Sequence, residues 1–295
     1  MKLWVNNMRI VGKLGSIEVG DNVGTRIMAV MNLSPTSFFK GSVKKSEEEI
    51  QSHIERVIDT GADFIDVGAI SSAPTFLYDK REFISTLTEI ERLSSFFNIY
   101  KDMGAEIPVS VDTQSAQTAE YALSQGAMII NDISGFKSDP KLVDIIYEHS
   151  ASAIVMACHQ APGDVFFITE VIDELKKSIH LGVNAGIEES RITIDPGLGG
   201  WVPQRQIEDD YRLIKELSKL RELRHCILVG ISRKSFIGKI LNATPEERLW
   251  GSLAATTIAI LNGTHIIRTH DVKPTKDVCV ITDYIRKLYS KNSDE

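Results

Sequence analysis

Polar and charged side chains follow most of the short apolar runs in this sequence, at the positions where those runs end. The first run ends in Asn32 and the sixth in Asp195. A single acid in such a place caps the next helix as readily as it serves a site. Capping is a poorer explanation when amides, acids or bases follow nearly every run. The candidate residues are Asn32, Asp66, Asp112, Asn131, Asp132, Asp195, Ser232, Arg233, Lys234, Arg268, His270 and Asp271.

Two kinds of chemistry are present in this set. The acids and amides are suited to reading the hydrogen-bond donors of a flat heterocycle. The cationic members, which we take to be Lys234, Arg268 and His270, are suited to an anionic leaving group. This division predicts a substrate in which a ring is joined to a phosphate.

The apolar runs are short and rich in Val and Ile, as expected for strands that are buried on both faces. The predicted strands span residues 26–32, 63–68, 108–112, 128–132, 153–157, 192–195, 226–230 and 265–269. Amphipathic segments lie between and after them. The predicted helices span residues 46–61, 80–104, 115–126, 140–148, 168–186, 204–220, 245–263 and 273–289.

Eight repeats of strand and helix predict an α/β protein with parallel strands, and specifically a (β/α)₈ TIM barrel. An open doubly wound sheet is the alternative, because a sequence does not show closure. We expect one barrel domain over residues 26–290. Residues 1–25 form an N-terminal extension, expected to be a short hairpin with a turn near Gly20 and Asp21. In a barrel of this kind the chemistry lies at the carboxyl ends of the strands.

Composition excludes several classes of function. The net charge is -7 and the chain has no basic stripe, which argues against nucleic-acid binding. No HxH or HExxH pair occurs, which argues against a zinc site. No apolar run reaches about 18 residues and the N-terminus lacks a signal-peptide pattern, so we expect no membrane span.

The cysteines Cys158, Cys226 and Cys279 are far apart and form no CxxC pair. Their number is odd, which argues against a disulfide framework and favours a reducing compartment. We therefore expect a cytoplasmic protein.

Several segments resemble the motifs of the dihydropteroate synthase family, in the pterin-binding superfamily. IMAVMNLSPTSF (27–38) is similar to MGILNVTPDSF, and GADFIDVGAISSAP (61–74) is similar to GADIIDVGGESTRP. The other matching segments are SVDT (110–113), GAMIINDISG (126–135), IDPGLG (194–199), GISRKSFIG (230–238) and RTHDV (268–272). The segments occur in the family's order from about residue 26 to 277, so the resemblance covers nearly the whole chain.

The resemblance implies a reaction between 6-hydroxymethyl-7,8-dihydropterin diphosphate and an arylamine, 4-aminobenzoate or a substituted aniline. Diphosphate is released, in the biosynthesis of folate or a methanopterin-type cofactor. Mg²⁺ is the implied cofactor, and a homodimer is the family expectation.

The resemblance also implies roles for individual residues. The pterin-binding set is Asp112, Asn131, Asp195 and Lys234, with Met156 against the ring. Ser232 would lie near the arylamine, and Asn32 would bind Mg²⁺ and the diphosphate. Arg268 and His270 would clamp the diphosphate, and with Lys234 they form the implied catalytic set.

The chain departs from the family pattern in the loops after strands one, two, five and six. The family's acid and arginine are replaced by Thr36 and Ala73, and Lys40 is a candidate substitute cation. Gly200 and Trp201 stand where Phe and Lys are usual. The fifth strand lacks the usual His after its Met. We infer that the part of the site that binds the amine has changed. The arylamine is then expected to be other than 4-aminobenzoate.

Two other functions remain open at this stage. One is a pterin-dependent methyltransferase, which binds the same ring but needs no diphosphate clamp. The Ser232–Lys234 segment and the Arg268 and His270 pair argue against it. The other is a paralogue that binds pterin without turnover.

Overall fold

The structure, a computed structural model, describes residues 9–34, 46–70 and 85–291. Ten strands occur in these ranges. They are β1 (Val11–Leu14), β2 (Ile17–Gly20), β3 (Arg26–Asn32), β4 (Phe64–Gly68), β5 (Val109–Asp112), β6 (Ile129–Asp132), β7 (Ser152–Met156), β8 (Ile192–Asp195), β9 (Cys226–Gly230) and β10 (Ile266–Thr269).

Nine α-helices occur in the same described ranges. They are α1 (Glu47–Asp59), α2 (Thr86–Asp102), α3 (Ala116–Ser124), α4 (Leu142–Glu148), α5 (Ile168–Asn184), α6 (Ile207–Glu216), α7 (Ser235–Leu241), α8 (Leu249–Leu261) and α9 (Val272–Lys291). None of them is long and apolar enough to cross a membrane.

Strands β3 to β10 close into a parallel barrel in the order β10-β3-β4-β5-β6-β7-β8-β9. This confirms the predicted (β/α)₈ barrel and excludes the open doubly wound sheet. All eight barrel strands lie within a residue or so of their predicted positions, because each is a short apolar run buried on both faces.

The helix predictions need three corrections. The short helix α7 was not predicted, since its seven residues are too few to show a clear 3.6-residue pattern. The predicted helix at 245–263 begins only at Leu249, because Pro245–Glu247 forms a separate 3₁₀ turn. The predicted helix at 204–220 likewise divides into α6 and a 3₁₀ segment, Leu217–Leu223.

Alternate residues of each barrel strand face opposite sides. In β3, Ile27 and Ala29 face outward into the buried layer between strands and helices. Met28 faces inward and belongs to a second buried cluster with residues of the other strands, including Phe64 and Leu228. This alternation decides which polar residues at the strand ends can point into the barrel.

An antiparallel hairpin of β1 and β2 covers the N-terminal end of the barrel. Its Leu14 and Val19 are buried in the same cluster as the inward-facing strand residues. The hairpin turns at Gly15, whose φ is +57°, and not near Gly20 and Asp21 as predicted. Gly20 is instead the last residue of β2, where it pairs with Val11.

Candidate active site

The inward-facing positions at the carboxyl ends of the strands carry most of the predicted site residues. Asn32 lies beside Gly68, Gly68 beside Asp112, and Asp112 beside Asn131, in register across four neighbouring strands. Across the barrel, Asp195 is the register partner of Met156. The barrel therefore brings to one end the amides and acids that the sequence places far apart.

One hydrogen-bond network joins Asp66, Asp112 and Asn131 to Arg268. The Arg268 guanidinium donates from Nε to Asp66 Oδ2 at 2.6 Å and from Nη2 to Asp112 Oδ2 at 3.3 Å. Asn131 Nδ2 donates to Asp66 Oδ2 at 3.3 Å, and Ser110 donates to Asp66 Oδ1 at 2.6 Å. The predicted cation thus lies among the predicted ring-binding residues.

Burial sets the electrostatics of this network. It raises the pKa of Asp112 to about 7, against the opposing influence of the Arg268 charge. Burial also pulls the pKa of Arg268 down, but Asp66 and Asp112 outweigh it and raise that pKa above its usual value. Arg268 therefore stays charged, whereas Asp112 is ready to exchange a proton near neutrality.

Lys234 and Asp195 form the opposite side of the site. Lys234 Nζ donates to the Leu198 carbonyl and lies 5.1 Å from the ring centroid of Trp201. Burial lowers the pKa of Lys234 to about 8, and the charge of Asp195 opposes this shift. Burial raises the pKa of Asp195, which Lys234 in turn opposes. Lys234 thus keeps its proton at pH 7 and loses it as the pH rises through about 8.

Met156 is the last residue of β7 and is buried. The loop after β8 packs closely against it. A methyl group on Gly197 would lie 3.1 Å from Met156 Cγ. Gly197 also has a φ of +74°, which favours glycine, and its N–H donates to Asp195 Oδ1 at 2.8 Å. The Gly197 backbone thus orients the Asp195 carboxylate next to Met156.

His270 and Ser232 lie in direct contact. The backbone N–H of His270 donates to Ser232 Oγ at 3.2 Å. Burial lowers the pKa of His270 to about 3, and the nearby Arg268 charge contributes to this shift. His270 is therefore neutral in the ligand-free protein. It offers a hydrogen bond and not the positive charge predicted from the sequence.

Three of the polar strand-end candidates have structural roles. Arg233 forms a bidentate ion pair with Asp271, at 2.8 and 2.7 Å, and also donates to the Pro245 carbonyl. Asp132 faces outward and accepts the backbone N–H groups of Ser134 and Phe136. Neither Arg233, Asp271 nor Asp132 belongs to the inward-facing network.

Some residues around the site were not predicted. Ser110 is fully buried against Asp66, and alternation along the strand from Asp112 would have indicated it. Arg205 and Asp210 form a buried ion pair beside the loop after β8, with a 2.8 Å contact. Nothing in the sequence indicates this pair, since it depends on contacts between separate loops.

Asn32 is the predicted magnesium ligand, and its surroundings test whether such an ion fits. A methyl group on Gly68 would lie 3.6 Å from Asn32 Oδ1 and 3.8 Å from Asp112 Cβ, so glycine leaves space between them. The described residues hold no cluster of three His, Cys, Asp or Glu side chains suited to a metal. Mg²⁺ commonly keeps several waters and binds substrate phosphates with few protein ligands. The donors here fit an ion that arrives with a diphosphate.

The divergent loops are only partly described. Thr36, Lys40 and Ala73, in the loops after β3 and β4, lie outside the described residues, as do all of residues 35–45 and 71–84. In the loop after β8, Trp201 Nε1 donates to the Leu198 carbonyl at 3.0 Å. Gly163, in the loop after β7, lies against the same indole, because a methyl group there would overlap it. Trp201 thus joins these two loops above Lys234.

Comparison with known proteins places this arrangement in a family. The model of the family described as pterin binding enzyme matches residues 28–270. A dihydropteroate synthase of Clostridium beijerinckii is 33% identical over 274 residues, which cover 92% of this chain and 98% of that protein. The chain belongs to the dihydropteroate synthase family. It is therefore a transferase, as the sequence motifs predicted.

Solved structures of this family share the whole fold. A dihydropteroate synthase of Coxiella burnetii, in complex with pteroic acid, is 30% identical with a TM-score of 0.82, over 95% of this chain and 99% of that one. A dihydropteroate synthase of Xanthomonas albilineans, with 4-aminobenzoic acid, is 27% identical with a TM-score of 0.80, over 95% and 99% of the two chains. Similarity to synthases over nearly the full length favours the synthase over the methyltransferase alternative.

Proposed function

We propose that this protein condenses 6-hydroxymethyl-7,8-dihydropterin diphosphate with an arylamine and releases diphosphate. The observation that carries the proposal is the Arg268 network. It joins the acids and amides suited to a pterin to a cation suited to its leaving group, at one end of the barrel. Membership of the dihydropteroate synthase family supports it.

The dihydropterin lies among Asp112, Asn131, Asp195 and Lys234 in this proposal, with Met156 against its ring. A carboxylate accepts two parallel hydrogen bonds from a guanidine-like edge, which selects such a ring over others. Asp112 has to be ionised for this, so ring binding removes its proton. Met156, buried beside Asp195, supplies an apolar contact for one face of the ring.

The diphosphate lies near Asn32, Arg268 and His270. Arg268 supplies the positive charge, and neutral His270 donates one hydrogen bond from its ring. When Mg²⁺ is bound, it draws charge from the diphosphate oxygens as a Lewis acid. Asn32 would offer its amide oxygen to that ion, or donate from its amide N–H to the diphosphate.

The reaction breaks the bond between the methylene carbon and the diphosphate oxygen and forms a bond from that carbon to the amine nitrogen. Diphosphate leaves with the electron pair, and the electron-rich ring stabilises the carbon that remains. The neutral amine needs no base before it attacks, and its surplus proton is lost afterwards to water or diphosphate. Fixed charges at the departing anion therefore supply most of the catalysis.

The arylamine is 4-aminobenzoate or a substituted aniline. The complexes of the Coxiella and Xanthomonas proteins with pteroic acid and 4-aminobenzoic acid support an amine of this class. The changed loop at Gly200 and Trp201 favours a substituted aniline. With 4-aminobenzoate the product serves folate biosynthesis. With a substituted aniline it serves the biosynthesis of a methanopterin-type cofactor.

The test incubates the protein with Mg²⁺, dihydropterin diphosphate and a panel of anilines. We expect diphosphate release that requires an amine, with one coupled pterin formed for each diphosphate. Higher kcat/KM for a substituted aniline supports the changed amine site, and preference for 4-aminobenzoate overturns that part. Pterin binding without diphosphate release identifies a paralogue without turnover, and methyl transfer from a methylated tetrahydropterin identifies a methyltransferase.

We also propose that the protein is a homodimer. A groove of about 560 Å³ runs between α6, α7 and α8 and is lined mainly by apolar side chains. Ile240, which lines the groove, is 60% exposed, and Trp250, next to the lining residue Gly251, is 76% exposed. Apolar patches of this kind on a soluble protein mark contact surfaces. Sedimentation equilibrium tests this, and Ile258→Asp in the groove should give a monomer.

The cytoplasmic location expected from the sequence also remains a proposal. Cys158, Cys226 and Cys279 are free and buried, which supports a reducing compartment. Fractionation of the source cells tests it.

A further inference from the structure

The peptide group between Leu198 and Gly199 makes contacts at both of its ends. The Gly199 N–H donates to Asp210 Oδ1 at 2.7 Å. The Leu198 carbonyl accepts from Lys234 Nζ and from Trp201 Nε1. The N–H and C=O of one trans peptide point in opposite directions. By accepting the N–H, Asp210 therefore directs the carbonyl toward Lys234.

Arg205 holds Asp210 in place. Its Nε and Nη2 lie 3.0 and 2.8 Å from Asp210 Oδ1, and the two side chains are 0% and 2% exposed. Arg205 Nη1 also donates to the carbonyls of Gly163 and Val165, at 3.3 and 3.1 Å. The pair thus connects α6 with the loops after β7 and β8.

A buried ion pair is seldom the most stabilising choice, because apolar residues of similar volume often stabilise a fold as well or better. An ion pair does fix geometry, since each donor and acceptor sets the orientation of the group that it binds. Here the fixed partner is a peptide that faces the proposed pterin site. The Gly199 backbone also packs closely against Lys234, because a methyl group on it would lie 3.0 Å from Lys234 Cδ.

We propose that Asp210, held by Arg205, is a positioning residue for Lys234 and acts on it through the Leu198–Gly199 peptide. The proposal rests on the proposed function where it uses turnover as a measurement. Neither Asp210 nor Arg205 lies on the inward-facing strand positions, so both act through Lys234 and Trp201.

The test compares a variant that keeps a hydrogen-bond acceptor at position 210 with a variant that lacks one. In Asp210→Asn the amide oxygen still accepts the Gly199 N–H, and only the charge is removed. In the double variant Arg205→Met, Asp210→Leu the acceptor is gone as well. We expect Asp210→Asn to keep most of the kcat/KM and the double variant to lose about 10- to 100-fold, the range for a hydrogen bond to a charged group. The exposed Glu208→Gln, in the same turn of α6, is the matched control.

The pH profile tests the charge interaction between Asp210 and Lys234. The charged groups that act on Lys234 are Asp195, Asp210, Arg268 and Arg205. Asp210 raises the pKa of Lys234, so its neutralisation in Asp210→Asn should move the alkaline limb of kcat/KM to lower pH. Glu208→Gln should leave the limb unchanged. An unshifted limb in folded Asp210→Asn contradicts that charge contact. Full kcat/KM in the double variant, or in Asp210→Ala if the double variant does not fold, overturns the positioning role.

A second measurement requires no turnover. Trp201 shares the Leu198 carbonyl with Lys234, so release of the peptide should free its indole. In a Trp250→Phe background, with Trp201→Phe identifying the signal, we expect acrylamide quenching of Trp201 to rise in the double variant but not in Asp210→Asn. A parent enzyme inactive with every amine contradicts the proposed function alone. Unchanged quenching in the double variant contradicts the positioning role.

Discussion

The guanidinium of Arg268 lies 2.6 Å from the carboxylate of Asp66, which has no exposed surface. The same guanidinium reaches Asp112, so one cation contacts the ring-binding side of the site directly. Changes to Asp66 should therefore affect both stability and the handling of the anion.

Asp66→Ala should lower the free energy of unfolding by about 3 kcal/mol, because it leaves Arg268 without its main buried partner. Affinity for diphosphate should fall as well, since the guanidinium loses its orientation. Urea denaturation and inhibition by diphosphate measure the two effects. Asp59→Ala, at an exposed acid of α1, is the control. Equal stability of the two variants would contradict this account.

The affinity for a pterin should increase between pH 6 and pH 8. Burial raises the pKa of Asp112 to about 7, so the free protein holds a proton there that ring binding has to remove. Calorimetry at pH 6 in buffers of different ionisation enthalpy should show proton release on binding. The release should vanish in Asp112→Asn. Proton uptake when the parent protein binds the pterin would contradict the predicted proton release.

His270 should remain neutral from pH 8 to pH 5 in the ligand-free protein, because burial and the Arg268 charge lower its pKa to about 3. Histidine ring signals in NMR spectra measure this, and His270→Gln identifies the relevant signal by its loss. A midpoint near pH 6.5 for that signal would mean that His270 gains a proton between pH 8 and pH 5, which contradicts the prediction.

Removal of metal should affect turnover but not the ligand-free fold. We expect EDTA to abolish diphosphate release and Mg²⁺ to restore it. The melting temperature without substrate should not change, because the described residues offer no closed set of metal ligands. Asn32→Ala should raise the Mg²⁺ concentration needed for half-maximal rate. A lower melting temperature in EDTA would instead indicate a resident metal.

Asp21 should contribute to stability in a pH-dependent way at the N-terminal end of the barrel. It accepts from Arg221 at 3.0 and 2.8 Å and from the Ile10 N–H at 2.8 Å, and it contacts His265. Although burial opposes them, these partners hold the pKa of Asp21 well below its usual value. Its stabilising effect is therefore full above about pH 4 and is lost as the pH falls further.

Asp21→Ala should thus lower the free energy of unfolding by about 3 kcal/mol at pH 7. The difference between parent and variant should shrink as the pH falls below 4. Urea denaturation at a series of pH values measures it. Glu18→Ala, an exposed residue of β2, serves as the comparison. A difference that grows on acidification would contradict the assignment.

The barrel could be predicted from the sequence because its strands are buried on both faces and read as continuous apolar runs. Alternation along those strands also indicates which polar residues face the interior of the barrel. It separates Asn131, which faces the interior, from the adjacent Asp132, which faces the helices. The same rule applied to β5 indicates Ser110 from Asp112.

Other features depend on contacts that no local pattern encodes. Arg233 and Lys234 are adjacent cations, yet Arg233, with a φ of +58°, turns to Asp271 while Lys234 turns to the Leu198 carbonyl. Arg205 reaches a carbonyl 42 residues away. The neutrality of His270 follows from burial and from Arg268, and both arise only after folding.

Apolar side chains of the barrel strands and of the β1–β2 hairpin fill the amino end of the barrel. Under the proposed function, a pterin bound against Asp112 and Asn131 would rest on this apolar layer. We therefore expect the pterin diphosphate to bind before the amine, and the coupled product to leave before the next pterin binds.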